Sequence, residues 1–123
     1  MANILVIDNQ QWVLELCKEC LAAEEHQIST TDDIETVSKN ILSLNPDIVL
    51  LNFYLKHGAL VWDVLKNIKR QDPDLPVIIV TLYGNHLYNP ALDRADGYLI
   101  NNGVAPVELK QKITALLGRD HTR

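Results

Sequence analysis

The chain has 123 residues, 47% apolar and 22% charged, which are the proportions of a folded globular protein with room for one continuous core but not two. Eleven basic against sixteen acidic residues leave a formal charge of −5, and with no basic run or arginine-rich helix this argues against direct binding to nucleic acid. The first apolar run, Ile4 to Ile7, has no charged segment before it and is far shorter than the roughly 20 residues that cross a bilayer. No membrane span is expected, nothing indicates export, and the expected location is the cytoplasm.

Apolar residues alternate between short β-type runs and helical stripes, five pairs in all, as when helices cover both faces of a parallel sheet. Ile4-Leu5-Val6-Ile7 is a continuous apolar run and reads as a central strand buried on both faces. Asn9 is a candidate N-cap for a first helix whose buried stripe is Val13, Leu16, Cys17 and Cys20. Cys17 and Cys20 form a CxxC, but a zinc site needs about four ligands and His26, His57, His86 and His121 are scattered singly. Both cysteines are therefore assigned to the core.

His26 to Thr30 reads as a weaker strand at a sheet edge, followed by Asp32 and Asp33 as caps for a helix carrying Ile34, Val37, Ile41 and Leu44. Asn45-Pro46-Asp47 punctuates the chain before Ile48-Val49-Leu50-Leu51-Asn52, an apolar strand that ends in a polar residue. The third helix shows Val61, Val64, Leu65 and Ile68 at helical spacing and closes at Asp72-Pro73. Val77 to Thr81 repeats the apolar strand with a polar C-terminal residue. Gly84, Asn85, Asn89 and Pro90 then leave room only for a short, irregular fourth helix near Ala91 to Ala95. Gly97 to Ile100 is a last short strand. Pro106 suits the first turn of a fifth helix with Leu109, Ile113, Leu116 and Leu117 inward and Gly118 as its cap. The domain is thus expected over 1–118, with 119–123 as a polar tail.

In a parallel α/β sheet, ligands bind outside the carboxyl ends of the strands. Asp8 and Asn9, Asn52, Thr81 and Asn101 all fall at that edge and are expected to converge on one small pocket. Asp47 begins its strand and belongs to the opposite edge.

Four segments, taken in order and spacing, carry a resemblance that spans nearly the whole chain: Ile4 to Asp8, Pro46 to Leu51, Pro76 to Thr81 and Ala95 to Ile100. The sequence resembles the receiver domains of response regulators in bacterial two-component (phosphorelay) signalling, of the CheY-like type. The resemblance implies a flavodoxin-like three-layer sandwich, a five-stranded parallel sheet in the order 2-1-3-4-5 with five helices. It also implies an acidic pair ending the first strand, a phosphorylated aspartate ending the third, and a lysine ending the fifth. This sequence keeps only Asp8 of the acidic pair, with Asn9 in the second place. Asn52 stands at the phosphoacceptor position and Asn101 at the lysine; Thr81 and Tyr98 match the family's switch pair.

Aspartyl phosphate forms when an ionised carboxylate attacks phosphorus while magnesium clamps the phosphoryl oxygens between hard anionic ligands. Asn52 offers a neutral amide oxygen, a poor nucleophile, and Asn9 removes a second carboxylate. A lone, vestigial Asp8 predicts weak or absent magnesium binding, no cofactor and no enzymatic activity. A polar network among Asp8, Asn9, Asn52, Thr81 and Asn101 is expected to fix one conformation. The expected role is a phosphorylation-independent pseudo-receiver that binds a protein partner or a second copy of itself, through the fourth helix, last strand and last helix. Two alternatives stand beside it: an active phosphorelay receiver using a deamidated Asn52 or another acceptor, and a flavodoxin-like domain that binds a small molecule. The latter is weakened because no phosphate-cradling Gly-rich loop follows the first strand. Lys56 and His57 lie in the loop after the third strand, where a solvated histidine is the simpler reading.

Overall fold

The computed structural model describes residues 2–7, 13–15, 17–18, 26–55, 58–82, 90–100 and 105–120. Five strands form one sheet: β1 (Asn3–Ile7), β2 (Gln27–Thr31), β3 (Ile48–Asn52), β4 (Val77–Thr81) and β5 (Gly97–Ile100). Their order is β2-β1-β3-β4-β5 and every neighbouring pair is parallel. This is the flavodoxin-like arrangement expected from the sequence, and each strand lies within one residue of its sequence-based position.

The continuous apolar runs explain why β1, β3 and β4 are central. Alternate side chains of one strand point to opposite faces, so a strand covered on both sides needs apolar residues at every position. Ile4, Val6, Ile48, Leu50, Ile78, Val80 and Leu99 bury one face under Val13, Cys17, Leu109, Ile113 and Leu116. Leu5, Ile7, Val49, Leu51, Val77 and Ile79 bury the other under Val37, Ile41, Val64, Leu65 and Ile68. Each such side chain contributes about 1.5–3 kcal/mol on leaving water, and the two faces together make the three layers. Cys17 is in the core, as assigned; Cys20 and Leu16 lie outside the described residues.

Three helices depart from the simple reading. Asp33 does cap the helix Ile34–Asn40, accepting from the Thr36 N–H at 3.1 Å and from the Thr36 hydroxyl at 2.8 Å. That helix does not run on to Leu44, however: it breaks at Asn40, and Ile41–Leu44 is a 3-10 turn. The cause is Gln71 of the neighbouring helix, Val61–Gln71. Its Nε2 donates to Val37 O at 2.9 Å and its Oε1 accepts from Ile41 N–H at 2.6 Å. These two backbone groups would otherwise bond each other as residues i and i+4, so an inserted side-chain amide interrupts the ladder.

The fourth expected helix is a three-residue 3-10 turn, Pro90–Leu92, closed by Asp93 N–H to Pro90 O at 3.1 Å. The last helix, Ala105–Asp120, passes through Gly118. Gly118 is therefore not its cap: among the described glycines only Gly58 has positive φ, so Gly118 takes the helical conformation at the cost of about 0.5–1 kcal/mol relative to alanine.

Candidate functional site

Register sets which side chains meet at the carboxyl edge. β3 and β4 pair Asn52 with Val80, β4 and β5 pair Thr81 with Ile100, and Phe53 N–H extends the ladder to Val80 O at 2.9 Å. Asn52 and Thr81 thus end adjacent strands, both fully buried. Asp8, Asn9 and Asn101, the other expected members of the pocket, lie outside the described residues, as do Lys56 and His57.

Asn52 turns its amide back on its own chain. Its Oδ1 accepts from Tyr54 N–H at 3.0 Å, the two-residue bond typical of asparagine at a turn. Its Nδ2 has no hydrogen-bond partner among the described residues. The oxygen, the one atom of the side chain able to ligate a cation, is neutral and already accepts one hydrogen bond, and the nitrogen beside it is a donor.

Thr81 is held by a residue that the apolar pattern does not single out. The Tyr54 hydroxyl lies 3.1 Å from Thr81 Oγ1 and accepts from Leu82 N–H at 3.3 Å. The Tyr54 ring meets Phe53 edge-on, with centroids 5.3 Å apart. Two of the five residues expected in the network, Asn52 and Thr81, are linked through a residue that sequence reasoning missed: each bonds to Tyr54, one to its backbone and the other to its phenol. The only sequence signal was a hydroxyl-bearing side chain two residues past Asn52.

Tyr98 pairs in register with Ile79, on the same face of the sheet as Thr81. Its hydroxyl donates to Leu92 O at 2.5 Å, in the 3-10 turn. Burial, and then the negative charges of Asp93 and Asp96, push its phenol above the ordinary tyrosine range.

Asp47 sits at the opposite edge, where its carboxylate accepts from Asn3 N–H at 2.7 Å. Five residues of strand separate it from Asn52, about 16 Å at roughly 3.3 Å per residue. A second polar group missed from sequence also lies at that end. Lys69 is buried on the 61–71 helix and its Nζ meets Asp96 Oδ2 at 2.6 Å and Leu75 O at 2.8 Å. The same Asp96 oxygen accepts from Val77 N–H at 2.9 Å. The available signal was spacing, since Lys69 follows Leu65 by four and so continues the inward stripe.

Residues 4–114 match the family described as response regulator receiver domain. The chain belongs to this family. Its relatives include the response regulator SaeR of Staphylococcus aureus, 29% identical over 97% of this chain and 52% of SaeR. The chain thus spans about half the length of the curated relatives it matches. Among solved structures, the response regulator TrrA of Thermotoga maritima in complex with Mg2+-BeF is 30% identical, with a TM-score of 0.79 over 94% of this chain and 99% of that one. A complex of the histidine kinase ThkA with TrrA gives 31% identity and a TM-score of 0.77, covering 95% of this chain and 99% of the matched one. A receiver domain protein from Clostridium thermocellum gives 26% and 0.79, covering 99% and 98%. Among the described residues no helix is long and apolar enough to cross a membrane.

Proposed function

We propose that this receiver domain is a pseudo-receiver: it works without phosphorylation, has no enzymatic activity of its own and acts by binding another protein. One observation carries the reading, the state of Asn52. A phosphoacceptor needs an ionised carboxylate with lone pairs free for phosphorus and for magnesium. Here the side chain is a neutral amide, fully buried, whose oxygen accepts from Tyr54 N–H and whose nitrogen is a donor, so it carries no charge to attack phosphorus or to hold magnesium strongly.

The described residues do not fit a magnesium ion at this position. An amide N–H group repels a cation, and no set of three acidic, histidine or cysteine side chains is gathered among the described residues. Deamidation of Asn52 to a working aspartate is also disfavoured. That reaction requires the backbone nitrogen of Phe53 to attack the side-chain carbon, and this nitrogen is committed to the β ladder through Val80 O.

A protein partner is supported by family membership and by the solved assembly of TrrA with ThkA. The docking face we infer comprises the Pro90–Leu92 turn, β5 and the 105–120 helix, where Val107 is 61% exposed near the helix start. Incubating the domain with magnesium and acetyl phosphate and measuring its intact mass tests the proposal. The mass should not change, and magnesium alone should leave the melting temperature where it was. A phosphoryl adduct at Asn52, or a clear thermal shift with magnesium, would overturn the reading.

A further inference from the structure

Thr81 ends β4 with no exposure to solvent, so its hydroxyl needs a partner inside the protein. Tyr54 supplies one at 3.1 Å. The same phenol oxygen accepts from Leu82 N–H, the first amide beyond β4, and the backbone N–H of Tyr54 is bonded to the Asn52 side chain. A single residue thus grips the ends of two adjacent strands, one with its backbone and one with its ring. Tyr98, the other member of the expected switch pair, is tied elsewhere, to Leu92 O.

We propose that Tyr54 is a latch that fixes the Thr81 side chain in one rotamer and uncouples it from Tyr98. The inference rests on the phosphorylation-independent reading, because a hydroxyl that must swing toward a phosphoryl group would first have to give up this bond. The latch is what keeps the β4 end still when no phosphoryl group arrives to set it. Rotation of Thr81 away from Tyr54 gives up a bond in a buried setting, and a neutral Asn52 offers nothing stronger in exchange. Loss of one such bond changes a local opening equilibrium by about fivefold.

The test compares the full chain with Tyr54→Phe, which keeps the ring and removes the hydroxyl, by NMR without any phosphodonor. Leu82 amide exchange should accelerate about fivefold, the change expected for losing one hydrogen bond. The three-bond couplings of the Thr81 methyl should move from those of a single rotamer to an average. Unchanged couplings and unchanged Leu82 exchange in the folded variant overturn the latch. Thr81→Val approaches the same bond from the other side: it should shift the Tyr54 ring signals, and static ring signals overturn the latch even if Tyr54→Phe does not fold. Phosphoryl labelling of the unaltered chain would sink the phosphorylation-independent reading instead, and that outcome is read by mass, not by these signals.

Discussion

Replacing Asn52 with aspartate restores the carboxylate that a phosphoacceptor would need, and the fold sets the cost. The side chain is 0% exposed. An aspartate there either stays ionised without water or takes up a proton. Protonation sets the ceiling: from an ordinary value near 3.9 to pH 7 is roughly three units, or about 4 kcal/mol at 1.36 kcal/mol per unit. The bond from Tyr54 N–H strengthens by about 1 kcal/mol when its acceptor is charged, which favours the ionised form and brings the expected loss at pH 7 below that ceiling, to about 3 kcal/mol. Because burial raises the folded-state value, the aspartate's contribution is intact below about pH 4 and is lost as pH rises through the folded-state value. The deficit of Asn52→Asp should consequently be near zero at about pH 4 and grow toward neutrality, and magnesium should shrink it by binding the folded state alone. Urea unfolding at acidic and neutral pH, with and without magnesium, measures each of these. A variant as stable as the parent at both pH values and indifferent to magnesium would show that the side chain at 52 is solvated, and the burial argument would fail.

Three further predictions concern groups the apolar pattern did not reveal. In the buried pair, the Lys69 side chain is 4% exposed and that of Asp96 is 18% exposed, so stranding the lysine is worse than stranding the aspartate. Asp96→Asn should cost about 3 kcal/mol and Lys69→Met only about 1; the reverse order in urea denaturation would contradict the geometry. Gln71→Ala leaves Ile41 N–H and Val37 O without the inserted amide and should cost about 2 kcal/mol; a loss below about 0.5 would mean that the 34–40 helix simply closes over the gap. Tyr98 has its phenol held above the ordinary tyrosine value, chiefly by burial, so the folded state keeps its proton longer than the unfolded state. Its contribution to stability is complete below the ordinary value and fades as pH rises through the raised one. Tyr98→Phe should flatten that alkaline decline in a series of unfolding curves, and an unchanged slope would refute the assignment.

The electrostatic character of the site follows from one substitution and one turn. An asparagine in an aspartate's place could in principle present its oxygen outward and bind a cation weakly. The bond from Tyr54 N–H decides the orientation, leaving the donor end over. Amide chemistry read from sequence and amide orientation read from the fold therefore point the same way.

Local physics was legible in the chain itself. The runs Ile4–Ile7, Ile48–Leu51 and Val77–Val80 read as strands buried on both faces, and the spacing of Val64, Leu65 and Ile68 as one helix face, because these periodicities are properties of the backbone. Asp33 as a cap was legible for the same reason, its partner Thr36 being three residues away. The tertiary structure alone decided the rest: the break at Asn40 comes from Gln71, 30 residues beyond Ile41, while Lys69 finds Asp96 and Tyr54 finds Thr81, each pair 27 residues apart. Parallel strands joined by crossover helices bring such residues side by side, and a polar bond between them leaves no period in the sequence to read.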